Sequence, residues 1–266
     1  MIISCDNDAI REIDDYIGDN YPKCLYLYLD IQQYGCRSEN THTWLQKDNG
    51  VTKAVMLSYH SALHVYAKEM DFDVIEMTEF IITKAPSIIC ASAELIRKIA
   101  PGLSDLGYIS EFGHIGKFSK LGDVIPDDNI GRATNHDICE IAQLLYEDDD
   151  IGASYTMEDL VKQIEDRLKD GFVRSYVIKE DGHVVAHLGT GAETEKVCTV
   201  SYVITAPEYR GRGLSSRLFA YACNELVNEG KEIYSVYYPE NSRRLHHKMG
   251  FEDCCEFGKL YKIIRD

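Results

Sequence analysis

The chain has 266 residues, enough for two ordinary domains or one large one. With 45% hydrophobic residues it is too apolar for a disordered chain. Its net charge is −16, with 11 Lys/Arg against 20 Asp/Glu in residues 1–130 and 17 against 24 in the rest, so neither half offers the basic excess of a nucleic-acid binder.

An acidic surface suits cationic or neutral substrates, and more simply keeps a protein in solution. The nine cysteines include no C-x-x-C pair, and adjacent Cys254 and Cys255 are poorly placed to bridge each other. Such usage fits reduced thiols and predicts a cytoplasmic protein. Residues 1–11 carry Ser4, Asp6, Asn7 and Asp8, unlike a secretory signal. No apolar run reaches the ~18 residues of a membrane helix, so no membrane partner is expected.

In chain order, residues 8–18 read as a polar helix. Lys23 to Ile31 (KCLYLYLDI) alternates aliphatic and aromatic residues and predicts a strand. Thr41 to Gln46 and Thr52 to Tyr59 predict paired strands around Lys47-Asp48-Asn49-Gly50, since Asn-Gly supplies the positive φ that hairpins need. Ala62 to Tyr66 is a further strand, Val74 to Thr83 a helix, Ser87 to Ala91 a short buried strand. Ala93 to Ala100 is a helix stopped at Pro101-Gly102. Tyr108 to Phe118 is a strand or a hairpin. Residues 119–132 (SKLGDVIPDDNIGR) are polar, with Gly122, Pro126 and Gly131, and form the best linker. They divide the chain into domains at 1–125 and 130–266.

The second half opens on a capping signal, Thr134-Asn135-His136-Asp137, followed by Ile138, Ile141, Ala142 and Leu145 at helical spacing. Asp148 to Ser154 is a loop, and Thr156 to Lys169 a second helix. Phe172 to Lys179, a Glu180-Asp181-Gly182 turn, His183 to Gly189 and Lys196 to Thr205 predict three strands. Gly213 to Glu229 is a helix, Glu232 to Tyr237 a strand, Ser242 to Met249 a helix closed by Gly250. Glu252 to Phe257 and Lys259 to Ile264 finish as two strands around Gly258. The layout is mixed α/β (α+β). The Asn-Gly and Asp-Gly hairpins sit at matching places in the two halves, which suits a duplicated architecture and equally the ordinary frequency of short hairpins.

Ala206 to Leu218 (APEYRGRGLSSRL) carries the strongest chemical signal. A strand runs into a loop with two glycines, and the loop into a helix. Helix N-termini leave N–H groups unsatisfied and favour anions, and glycine lets a phosphate approach the backbone. Arg210 and Arg212 add cationic side chains. The turn is neither a P-loop nor a dinucleotide fingerprint. Residues 210–215 (RGRGLS) resemble the acetyl-CoA motif of the GNAT acetyltransferase superfamily, Gln/Arg-x-x-Gly-x-Gly/Ala, with Ser215 where Gly or Ala is usual. Pro239 to Phe251 (PENSRRLHHKMGF) resembles the last GNAT segment through Lys248, Gly250 and Phe251, with Asn241 two residues closer to Gly250 than in the commonest pattern.

The resemblance covers about residues 133–266. It implies a mostly antiparallel sheet flanked by helices, and acetyl transfer from acetyl-CoA to a primary amine of a small molecule or peptide. Backbone of Arg210, Gly211, Arg212, Gly213, Leu214 and Ser215 would take the pyrophosphate, and Val203, Ile204 and Thr205 the pantetheine arm, with Asn241 as a further CoA contact. His246 falls where many members carry the proton-donating Tyr, with Tyr238 and Tyr261 as alternatives; Glu193 or Glu195 would serve as base or water relay. No cysteine lies in the CoA motifs, so transfer is direct, in a ternary complex of a monomer or homodimer. No metal is expected; His60 and His64 have ligand-like helical spacing but read as an incidental pair. The first half lacks an equivalent glycine turn and reads as a related or degenerate domain that does not bind CoA and instead shapes the acceptor cleft.

Overall fold

The computed structural model describes residues 1–119, 129–149, 151–152, 155–170, 173–238 and 240–263. Most of the predicted linker, parts of the Asp148–Ser154 loop, Phe172, Pro239 and Ile264 lie outside them. The chain divides into two compact units, Met1–Ile115 with Cys254–Lys262, and a second whose main part is Gly116–Asp253.

In the first unit, strand β1 (Ile2–Cys5) precedes helices α1 (Ile10–Ile17) and α2 (Leu25–Tyr34). Strands β2 (Thr41–Asp48), β3 (Val51–Tyr59) and β4 (Ala62–Tyr66) follow, then α3 (Val74–Lys84), β5 (Ile88–Ser92), α4 (Ala93–Ile99) and β6 (Ile109–Phe118). The hairpin turn forms as expected, with Asn49 at φ 48 and Gly50 at φ 81. β1 to β4 pair antiparallel in sequence, and β4 and β5 pair parallel. Phe257 to Tyr261 of the last strand, β12 (Phe251–Tyr261), pair antiparallel with Ser92 to Ile88. This pairing gives Cys254–Lys262 to the first unit, where the sequence alone placed the whole chain end in the second domain.

Alternation along the strands supplies two faces. Leu45, Val55 and Leu57 pack with Ile13, Ile17, Leu27 and Ile31 of α1 and α2. Trp44, Ala54, Met56, Leu63 and Val65 pack with Met77, Ile81, Leu95 and Ile96 of α3 and α4. Each such buried aliphatic side chain stabilises by about 1.5–3 kcal/mol.

The second half of the chain repeats the element order: β7 (Ile130–Arg132), α5 (Ile138–Glu147), α6 (Met157–Asp170), β8 (Ser175–Glu180), β9 (His183–Glu193), β10 (Val197–Thr205), α7 (Leu214–Asn228), β11 (Glu232–Tyr237), α8 (Glu240–Lys248) and β12, of which only Phe251–Asp253 belong to the second unit. β7 to β10 are antiparallel neighbours, and β10 pairs parallel with β11. The strand directions thus match those of the first unit, in support of a duplicated architecture. Leu214, Leu218, Phe219, Ala222 and Leu226 of α7 cover one sheet face. Ile141, Ala142 and Leu145 of α5 and Leu160 of α6 cover the other. The predicted capping box at Thr134 and Asp137 is present.

Several expectations change. Lys23 to Ile31 is not a strand: it ends a 3-10 turn and begins α2, where Leu25, Leu27, Leu29 and Ile31 are all buried. α4 does end before Pro101-Gly102, at Ile99, but the chain continues as a 3-10 turn, Ala100–Leu106. Ile109–Phe118 is one strand and not a hairpin, and the two final strands are one, passing through Gly258. A Cβ at Gly258 would meet Ile96 Cγ1 at 3.0 Å, so a glycine there lets the strand pack close to α4. His60 and His64 are not on a helix; His60 sits in the β3–β4 turn and His64 on β4.

Candidate active site

β10 leads through Ala206 and a 3-10 turn, Pro207–Tyr209, into the glycine loop. Gly211 (φ 79) and Gly213 (φ 77) take left-handed backbone, which a side chain would strain. Gly213 is the N-cap of α7, and no side chain caps this helix. A Cβ built at Gly211 or Gly213 meets no heavy atom within 4 Å, so the space before the helix end is open. Open N–H groups and the positive helix end together form an anion seat. Arg210, 57% exposed at its side chain, donates from Nε to the Thr205 carbonyl (3.1 Å) and pairs with Asp148 at 3.6 Å. Arg212 lies 3.6 Å from Glu180 and over the Tyr209 ring. Both guanidinium groups therefore flank the turn. Ser215, the departure from the motif, uses its hydroxyl to bond the Thr205 hydroxyl at 2.9 Å, joining the end of β10 to the start of α7.

The matching place in the first unit is closed. Asp73 caps α3 by accepting from the Glu76 amide at 3.0 Å, and Glu76 adds a second carboxylate to the first turn. Residues 67–73 contain no glycine, so the start of α3 is capped by a side chain where the start of α7 is not.

β10 and β11 separate. Their parallel register runs from Val197↔Glu232 to Val200↔Ser235, whereas β10 continues to Thr205 and β11 to Tyr237. The β11-side edge of Ser201–Thr205 is thus left outside the ladder and can take an added strand-like ligand. On the other edge β10 carries a bulge: Ser201 faces Gly189 and Ile204 faces His187, so Tyr202 and Val203 stand against Leu188 alone. Tyr202 has φ 52, left-handed for a bulky residue.

Beside this bulge is a small cavity of about 20 Å³, roughly the room of one water molecule. Leu145, Leu160 and Ile164 line it with His187, Ser175 and Tyr202. His187 is only 2% exposed. Its Nδ1 lies 3.0 Å from the Tyr202 carbonyl, which only accepts, so Nδ1 bears the proton; Nε2 then accepts from the Ser175 hydroxyl at 3.2 Å. Burial pushes the ring pKa down to about 4, against the lesser pull of its bond to Tyr202. Neither His187 nor Tyr202 stood out in the sequence, because a histidine in V-V-A-H-L-G reads as an ordinary strand residue.

The expected proton-transfer residues fall in several places. His246 is a core side chain, 4% exposed, tilted against the Tyr237 ring and edge-to-face with Phe219 and Phe251. Its Nδ1–H donates to the Ser242 carbonyl (2.7 Å) and Nε2 lies 2.8 Å from the Ser235 hydroxyl. Burial lowers its pKa to about 4. Glu193, its side chain 8% exposed, accepts from Thr190 Oγ1 (2.6 Å) and pairs with Arg174 Nε (3.2 Å) and Lys231 Nζ (3.7 Å). It ends β9 beside Cys198, at the opposite end of β10 from the glycine loop. Glu195 is exposed in the β9–β10 turn. Tyr238 is partly exposed, one residue beyond the end of β11. Asn241, in the first turn of α8, accepts from Arg244 at 2.7 Å. Tyr261 belongs to the first unit, paired with Ile88. Among the described residues no group of three or more His, Cys, Asp or Glu side chains could hold a metal ion.

Residues 136–251 match the model of the acetyltransferase (GNAT) family, so the second half of the chain carries a GNAT domain. No curated protein matches the chain. Among solved structures, a GNAT-family acetyltransferase from Colwellia psychrerythraea is similar over 98% of each chain, at 11% identity and TM-score 0.60. A tandem GNAT protein from the clavulanic acid biosynthesis pathway aligns over 98% of this chain and 97% of its own, at 8% identity and TM-score 0.60. A Drosophila protein aligns over 97% of both, at 11% identity and TM-score 0.67. At these identities the likeness is one of fold, and its span agrees with two GNAT-like domains.

Proposed function

We propose that this protein transfers an acetyl group from acetyl-CoA to a primary amine by direct attack in a ternary complex. The observation that carries this reading is the open, uncapped glycine turn at Gly211–Gly213, next to a strand edge left outside its ladder. In this reading N–H groups of Arg210–Ser215 hold the pyrophosphate, Arg210 and Arg212 complement its charge, and Asn241 adds a contact from α8. Val203, Ile204 and Thr205 align the pantetheine arm by strand-like hydrogen bonds. Acetyl-CoA itself supplies an activated acyl group, so the protein's task is to orient the two substrates, polarise the carbonyl and deliver a proton to the departing sulfur.

Of the proposed proton donors, Tyr238 is the better fitted, because it is partly exposed whereas both nitrogens of His246 are engaged in the core. A base at Glu193 would first have to leave Arg174 and Lys231. The amine can instead lose its proton to water. The engagement of His246 and Glu193 also favours a second reading, an acyl-CoA-binding protein without turnover.

Acetylation of an amine panel, with Tyr238→Phe beside the wild type, separates the two. Turnover that drops at least tenfold in Tyr238→Phe with unchanged acetyl-CoA affinity supports the enzyme and its acid. Tight acetyl-CoA binding with no turnover on any amine supports the second reading.

A further inference from the structure

Among the described residues, five non-glycine residues have left-handed backbone, and Tyr202 is the one inside a strand; Asn49, His60 and Asp181 sit in strand-connecting turns and Ala85 ends a helix. A bulky residue adopts this conformation only where its surroundings hold it. At Tyr202 the holding group is His187. This histidine, on the neighbouring strand, donates from Nδ1 to the Tyr202 carbonyl at 3.0 Å, and the Ser175 hydroxyl on the next strand steadies Nε2 at 3.2 Å. Gly189 completes the arrangement: a Cβ there would stand 3.3 Å from His187 Cε1, so a larger residue would press on the ring.

The bulge governs the register of the last residues of β10. Two residues of β10 oppose one of β9, so from Ile204 onward the pairing is shifted by one residue against that of Val200 and Ser201. A one-residue shift exchanges which backbone groups and side chains point to each side. The conformation of Tyr202 therefore decides which N–H and C=O groups of Val203–Thr205 reach the edge left outside the β11 ladder.

We propose that His187 is a positioning residue for the acyl donor: by clamping the Tyr202 carbonyl it presents the edge of Val203–Thr205 to the pantetheine arm of CoA. The proposal rests on acetyl-CoA being the donor bound along this strand. It involves no proton transfer by His187, whose two nitrogens are both committed.

The test compares His187→Asn with His187→Gln. An Asn amide reaches the position of Nδ1 and can still donate to the Tyr202 carbonyl, whereas a Gln amide reaches that of Nε2 and bonds Ser175 instead. Acetyl-CoA binding by calorimetry, with thermal unfolding on the same samples, reads the result. The clamp predicts Asn within a few-fold of wild type and Gln weaker by roughly tenfold, the scale of leaving a buried carbonyl unpaired. Adding Tyr202→Gly to His187→Gln restores affinity, since glycine takes the left-handed conformation unaided. Equal affinities of the Asn and Gln variants overturn the proposal while leaving the donor site standing; a wild type that binds no acetyl-CoA overturns both. If neither single variant folds, the His187→Gln/Tyr202→Gly double variant decides, with restored binding in support and absent binding against.

Discussion

His246 Nε2 lies 2.8 Å from the Ser235 hydroxyl, so the imidazole ties α8 to β11 from inside the core. Its other nitrogen is held by the carbonyl four residues back, at Ser242. The ring's role in this geometry is packing and hydrogen bonding. His246→Phe leaves Ser235 without this partner, in a site already crowded by Phe219, Tyr237 and Phe251. The expected loss is about 1–3 kcal/mol of stability, measured by denaturant unfolding, with a smaller effect on the turnover of protein that remains folded.

The two buried histidines make stability depend on pH. Each has a folded pKa of about 4, against about 6.5 when unfolded. Between those values the unfolded chain binds more protons, so stability rises with pH. Their contribution is complete above about pH 6.5 and lost as pH falls to about 4, on the order of 3 kcal/mol for each residue. Stability measured by unfolding should fall steadily from pH 7 to 4, and the slope should flatten in His246→Phe. An unchanged slope would mean that His246 is not held neutral.

Arg174 anchors a cluster of carboxylates: Glu193 at 3.2 Å, Glu225 at 3.0 Å and Glu229. Its side chain is 17% exposed. Removing one partner of a largely buried ion pair leaves the other uncompensated. Arg174→Met should therefore destabilise by about 3 kcal/mol. Glu193→Gln should also cost stability while leaving the pH profile of acetylation unmoved; a shifted profile would return Glu193 to the role of base.

The first unit should not bind CoA, because Asp73 and Glu76 occupy the start of α3. One acetyl-CoA per chain is the expected stoichiometry. Asp73→Ala should cost about 1 kcal/mol through loss of the cap without creating a second site, since glycine is still lacking. A stoichiometry of two would mean that the first unit holds an anion seat of its own.

The parts of the fold legible in the sequence are those set by local chemistry. Asn49-Gly50 and Asp181-Gly182 gave the hairpins, Thr134 and Asp137 the cap, and Arg210–Ser215 the glycine turn into α7. The misread segments are those where tertiary burial overrides pattern. In Lys23–Ile31, alternating Leu and Tyr suggest a strand, yet α2 can bury Leu25, Leu27, Leu29 and Ile31 together because its surroundings enclose it on more than one side. Ile2–Cys5 is too short to show a period of its own, and becomes a strand through its pairing with Gln46–Thr43. At the site, motif spacing finds the glycine turn before α7. It cannot reveal that His246 and Glu193 are enclosed by partners, or that His187 and Tyr202 meet across a bulge, because these facts arise only when separate strands pack.

If the Gly211–Gly213 turn seats an acyl-CoA, a negative charge placed there must expel it. Calorimetry of acetyl-CoA with the wild type and Gly213→Glu is the decisive comparison. The variant sets a carboxylate in the open space before α7 at a position where φ is 77. The expected result is saturable binding by the wild type with one site, and loss of at least a hundredfold in affinity for the variant while its thermal transition persists. Wild-type protein that binds no acetyl-CoA at high micromolar concentration, or a folded Gly213→Glu that binds as tightly as the wild type, would show that this turn is not the cofactor seat.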